Sequence, residues 1–143
     1  KKDAERLRKY SSSMGITDNI KILERVPRKN VDMYYQLCDF SLSVLPPIEA
    51  FHIATPGKLI DSFSNGRAVI ASKLYEQKKI VEESNGGILI DYNINELMKA
   101  MDWMLQNTEN TKVMGQSGKT FIEKKMSYSS IVKEIDKIYK NLF

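Results

Sequence analysis

The chain has 143 residues, 42% hydrophobic and 28% charged, with a formal net charge of +4. That balance excludes a disordered chain and gives one domain with a core large enough to fold. No apolar run can span a bilayer, no apolar signal-peptide core opens the chain, and no aromatic–basic repeat points to nucleic acid.

Lys2 to Met14 is charged, with Ala4, Leu7 and Tyr10 at helical spacing, and Gly15 is suited to end that helix. Nothing caps its front, so the reading is of a chain that begins inside a helix. Ile20-Lys21-Ile22-Leu23 predicts a strand, and Arg25-Val26-Pro27 leaves it as a loop. Asn30 is placed to cap a short helix with Val31, Tyr34, Tyr35 and Cys38 on one face. Cys38 is the only cysteine, which excludes an intrachain disulfide. Its apolar neighbours predict a buried thiol in a reducing, cytoplasmic compartment. His52 is the only histidine, and nothing else marks it as the partner of a catalytic thiol.

Phe40 to Leu45 predicts a second strand, ended by Pro46-Pro47, and a loop with Glu49 and His52 follows. Thr55 and Pro56 then open a helix, Asn65-Gly66 ends it, and Ala68 to Ala71 form a third strand. Leu74 to Glu83 predicts a helix and Ile88-Leu89-Ile90 a fourth strand. Asn93 and Glu96 have the spacing of a capping box, with Leu97, Ala100, Met101, Met104 and Leu105 on the buried side. Two more helices follow, near Thr111 to Lys125 and Ser129 to Asn141. In the last, Ile131, Ile135, Ile138 and Leu142 form an apolar stripe expected to be core.

Strands alternating with helices predict a three-layer α/β fold, a Rossmann-like parallel sheet with helices on both faces. Residues 1–143 read as a single partial domain, with 126–143 as its C-terminal helical segment. Four strands are few for such a sheet, so part of it is expected upstream of Lys1. Ligands of these sheets bind beyond the carboxyl ends of the strands, where the loops after Leu23, Val44 and Ala71 should share a rim.

Thr55-Pro56-Gly57-Lys58-Leu59-Ile60-Asp61 carries the most chemistry. The first-turn N–H groups and the helix dipole favour an anion. Gly57 lets a ligand approach the backbone, Lys58 adds a positive charge, and Asp61 can accept hydrogen bonds from vicinal hydroxyls. The plain alternative is an ordinary capped helix with a surface Lys58–Asp61 pair worth a few tenths of a kcal/mol.

The ordered set Arg25-Val26-Pro27, Tyr34-Tyr35, Cys38-Asp39-Phe40, Leu45-Pro46-Pro47, Thr55 to Asp61, Gly66 to Ser72 and Gly87 to Ile90 resembles one family. It is that of the C-terminal, donor-binding half of two-Rossmann (GT-B) glycosyltransferases, the retaining group 1 or family four. Met126-Ser127-Tyr128 resembles the segment before that family's last helix. The order and spacing carry the resemblance, from about Ile20 to the C-terminus.

The resemblance implies an N-terminally truncated half of a GT-B enzyme that binds a nucleotide-diphosphate sugar. It implies transfer to an acceptor hydroxyl with retention, and a chain inactive without an N-terminal acceptor domain. Residue by residue, it implies that Asp61 holds the ribose and that Thr55, Pro56, Gly57 and Lys58 face the diphosphate. Arg25, Val26 and Pro27 would line the base. Many members carry a sugar-contacting glutamate where this chain has Ile53, and Glu49 and His52 are the candidates to replace it. No cofactor and no metal are expected, in keeping with the absence of an Asp-x-Asp sequence. The family's last helix crosses to the other half, which makes a homodimer through that helix an expectation here, and the basic tail suggests peripheral membrane contact. A non-catalytic interaction domain that keeps this fold stays open. A flavodoxin-like or receiver-like domain is disfavoured, because neither an acidic cluster nor a flavin phosphate loop follows the first strand.

Overall fold

The computed structural model describes residues 2–52 and 57–142. Two compact units emerge, Lys1–Val31 and Asp32–Phe143, and each is described by itself.

In the first unit, α1 (Lys2–Ser13) ends as its sequence predicts. Gly15 takes φ +67°, and the Gly15 and Ile16 N–H groups donate to the carbonyls of Ser12 and Ser11. Such a left-handed residue satisfies carbonyls that a helix end leaves unpaired. A single 3-10 turn (Thr17–Asn19) follows. The strand predicted over Ile20–Leu23 does not form. Ile20 is extended, at φ −121° and ψ 122°, but among the described residues this segment joins no ladder, and Ile20 and Leu23 are exposed. Extended backbone is a strand only when a neighbour takes its hydrogen bonds. Asn30 directly precedes the next helix, α2 (Val31–Gln36). Its N–H donates to the Pro27 carbonyl (2.9 Å), closing a second 3-10 turn over Arg28–Asn30.

The second unit contains α2 (Val31–Gln36) and a parallel sheet of β1 (Phe40–Ser43), β2 (Ala68–Ser72) and β3 (Gly87–Ile90), in that spatial order. Phe40 lies beside Ala68, and Val69 beside Gly87. Every residue of β2 is buried, which explains its unbroken apolar run. Alternation along the strands makes two cores. Val69 and Ala71 pack with Leu59 and Phe63 of α4 (Gly57–Ser64), Ile80 and Val81 of α5 (Tyr75–Ser84), and Ile122. Ala68, Ile70 and Ile90 pack on Ala100 and Met104 of α6 (Ile94–Gln106). The sheet is therefore covered on both faces, as expected of this α/β class.

The Asn93 Oδ1 accepts the Glu96 N–H (2.9 Å) and starts α6 as predicted. The Glu96 carboxylate does not close a reciprocal box. It accepts instead from the Asp91 N–H (2.6 Å). Leu105 is 55% exposed, contrary to expectation. Leu97, Ala100, Met101 and Met104 fill the side that meets the sheet, and one more residue turns away from it.

Next, α7 (Thr108–Phe121) approaches the start of β2 through glycine. A Cβ at Gly115 would overlap the Gly66 carbonyl, and one at Gly118 would sit 2.5 Å from the Phe63 ring. A π-helical turn (Ile122–Met126) leads to α8 (Tyr128–Lys140), capped by Ser127, whose Oγ accepts the Ser130 N–H. The stripe predicted to be core is exposed: Ile131, Ile135, Ile138 and Leu142 are each 42–69% accessible. No residue of α8 is buried, because among the described residues the helix packs chiefly on the π-helical turn before it. Cys38 is exposed as well, in the link between α2 and β1, and its thiol donates to the Tyr34 carbonyl (3.1 Å).

Candidate functional site

The carboxyl ends of three parallel strands converge on one rim, built by backbone ties more than by side-chain pairs. The Leu45 N–H donates to Ser72 Oγ (2.9 Å), joining the ends of β1 and β2. The Lys73 N–H donates to the Ile90 carbonyl (2.9 Å), carrying the β2–β3 ladder one residue further. Lys73 Nζ then meets Asp91 at 3.1 Å. Both partners are roughly half exposed, so the pair orients the rim more than it stabilises it.

From this rim, α4 runs back beside the sheet. Leu59 and Phe63 are fully buried, and Ser62 fixes the helix laterally: Ser41 Oγ donates to Ser62 Oγ (2.7 Å), which donates to the Arg67 carbonyl (3.1 Å). Asn65 Nδ2 donates to the Asp61 carbonyl (2.9 Å) and to Asp32 Oδ1 (3.0 Å), closing the helix against α2. Tyr35 Oη donates to the Lys58 carbonyl (3.3 Å). These contacts hold the first turn of α4 at the rim.

Among the predicted site residues, Gly57 and Lys58 are exposed in that first turn, and Asp61 is half-buried one turn on. Among the described residues, a Cβ built on Gly57 meets no atom within 4 Å. Thr55 and Pro56, with Ile53, lie outside the described residues. Glu49 and His52 are exposed in a helical segment, α3 (Glu49–His52), where a loop was expected. Arg25 and Pro27 are exposed and Val26 half-buried, all in the 1–31 unit.

The rim also holds a cleft of about 280 Å³ lined by Val44, Tyr92, Asn93, Ile94 and Leu97. A larger cleft of about 530 Å³, with Asn85, Gln116 and Lys124 in its walls, lies off the rim where α5 and α7 meet, so size alone does not select the site. Among the described residues no cluster of His, Cys, Asp and Glu could hold a metal ion, and no helix is long and apolar enough to cross a membrane. Sequence reasoning missed Ser72, Ser62 and Tyr35 as supports of the rim. Their partners are main-chain groups and a hydroxyl distant in sequence, which no local pattern reports.

Comparison with known proteins agrees with this architecture. The family described as glycosyl transferases group 1 matches residues 1–121. An uncharacterized glycosyltransferase of Methanocaldococcus jannaschii is 26% identical over 141 residues, 96% of this chain and 38% of the relative. A second from the same organism is 27% identical over 85 residues, 59% of this chain and 22% of the relative. The chain thus spans well under half the length of either. The sucrose-phosphate synthase of Thermosynechococcus elongatus superposes with a TM-score of 0.76 at 18% identity, over 97% of this chain and 34% of the synthase. The family match covers most of the residues, the sheet and its layers superpose on a GT-B enzyme, and the chain belongs to the group 1 glycosyl transferases, with the fold of a GT-B C-terminal domain.

Proposed function

We propose that this domain binds the nucleotide-diphosphate sugar donor of a retaining glycosyl transfer to an acceptor hydroxyl. In this reading the first turn of α4 and Lys58 meet the diphosphate, whose negative charge grows as the sugar leaves. Preorganised N–H groups and a cation can stabilise that charge without a metal. Asp61 accepts the ribose hydroxyls, Arg25, Val26 and Pro27 line the base, and Glu49 or His52 contacts the sugar. Thr55 and Pro56 complete the diphosphate turn. The observation that carries the reading is that Gly57 and Lys58 are exposed and share one helix with Asp61 beside the sheet rim.

Acceptor binding belongs to an N-terminal domain, so the 143-residue chain alone is expected to bind donor weakly and not to turn it over. The exposed stripe of α8 is the surface offered to that domain or, without it, to a second copy; a monomeric mass in solution scattering would count against the homodimer. Peripheral contact of the basic tail with an anionic membrane is tested by vesicle sedimentation.

Calorimetric titration with uridine, guanosine and adenosine diphosphates tests the site. One of them should bind, Asp61→Ala should weaken it about tenfold, and Asp102→Ala, exposed on α6, should not. No heat with any of the three, or an unaffected Asp61→Ala, would overturn the assignment. Ile53 favours a second reading, a non-catalytic interaction domain, for which the same titration should show no heat.

A further inference from the structure

The rim cleft beside β3 lies on the α6 face of the sheet and takes no part in the α4 turn. Val44 and Leu97 pack on the second core and form its floor. Tyr92 and Ile94 stand over that floor, and each is more than half exposed. The turn that carries Tyr92 is locked. The Asp91 N–H donates to the Glu96 carboxylate (2.6 Å), the Asn93 N–H donates to the Asp91 carbonyl (2.7 Å), and Asn93 Oδ1 accepts the Glu96 N–H (2.9 Å). An exposed aromatic ring on a rigid turn is a preorganised contact, since little entropy remains to be lost when a ligand meets it.

The polar groups narrow the ligand. Asn93 Oδ1 is committed to the helix, while among the described residues its Nδ2 meets no acceptor, so the cleft has an amide donor to offer. No charged side chain lines the walls, and Asp91, in the same turn, is matched by Lys73 at 3.1 Å. An ionic ligand would give up hydration here with no counter-charge to replace it. The cleft therefore selects a neutral molecule with an apolar face and hydroxyl groups at its edge. A pyranose ring has both: its C–H face lies against an aromatic ring or an aliphatic floor, and its hydroxyls take amide donors. The volume, about 280 Å³, lies just below the roughly 300–1,000 Å³ of drug-sized sites, which suits one sugar ring and not a nucleotide.

We propose that this cleft binds one neutral hexopyranose ring, stacked on Tyr92 over Val44 and Leu97, with Asn93 Nδ2 donating to a ring hydroxyl. The site rests on the saccharide chemistry of the family and not on the α4 seat.

Carbon–proton spectra of the 143-residue chain, titrated separately with the methyl α-pyranosides of glucose, galactose and mannose, test the proposal. One of them should shift the Val44, Ile94 and Leu97 methyl signals and the Tyr92 ring signals along one saturable curve. Tyr92→Ala, at an exposed position, should weaken that binding at least about tenfold, while Tyr92→Phe keeps it within about twofold. Asn93→Ser retains a capping oxygen but loses the amide donor, and should weaken it about threefold. Uridine diphosphate should leave these signals in place whether or not it binds at α4, so this site and the donor seat fail separately. Cleft signals unmoved by all three pyranosides, an undiminished response in Tyr92→Ala, or a cleft that answers to hexanol and to no pyranoside would overturn the site.

Discussion

A Gly115→Ala substitution would drive a methyl group into the turn that starts β2. The new Cβ would overlap the Gly66 carbonyl oxygen, 2.8 Å from the carbonyl carbon and 2.9 Å from the Ala68 nitrogen. Ordinary contact between such atoms is about 3.5–4.0 Å, so α7 or the turn must move by the better part of an ångström. Neither is a flexible side-chain end. The turn feeds β2, whose five residues are all buried, and α7 is anchored by Gly118 against Phe63. Overpacking of this kind costs about 1–3 kcal/mol, and the gain in helix propensity from glycine to alanine returns at most about 1 kcal/mol. A net loss of about 1–2 kcal/mol should lower the melting temperature by about 3–8 °C in a chain of this size. Thermal unfolding followed by far-UV circular dichroism reads this directly. A melting temperature equal to or above that of the parent chain would refute the close helix–turn approach.

Three further substitutions probe the rim and the layer beneath it. Gly57→Ala meets no atom within 4 Å, so it should leave melting unchanged or slightly higher while weakening nucleotide diphosphate binding about tenfold; undiminished affinity would count against the α4 seat. Ser72→Ala leaves the Leu45 N–H without its acceptor and should cost about 1–3 kcal/mol, read as a lower urea midpoint with an unchanged slope; an unmoved midpoint would show that this tie does not hold the rim. Gln77, fully buried with neither amide atom bonded, should gain stability as Gln77→Met, by about 1 kcal/mol; a destabilised variant would mean that its amide has a partner in solution.

Much of this was legible from local pattern. The Ala68–Ser72 run, closed in by Gly66 and followed by another apolar triplet at Ile88, describes a buried parallel strand and its neighbour without any tertiary knowledge. Gly15 and Asn93 act through contacts within four residues, and both behave as their sequence contexts indicate. The errors share another cause. Ile20–Leu23 has strand propensity but depends on a neighbour that no local rule supplies. The stripe of α8 has the period of a core helix, yet the period shows only that one face is apolar, not what covers it. Cys38 looks buried by composition, although the link it occupies lies outside both cores. At the site, Lys58 and Asp61 could be placed on one helix from spacing alone. The Leu45–Ser72 tie spans 27 residues of sequence, and Tyr35–Lys58 spans 23, so neither leaves a local trace.

The pairing of β1 has a consequence for handling the protein. Among the described residues this strand hydrogen-bonds only to β2, which makes it an edge of the three-stranded sheet. Such an edge is a template for any extended segment that reaches it, including the same edge of another molecule. Concentrated solutions of the 143-residue chain should therefore self-associate edge to edge and lose solubility before they lose their fold. Leu42, already 42% exposed in the middle of that strand, is the position where a lysine would act as a gatekeeper against such growth.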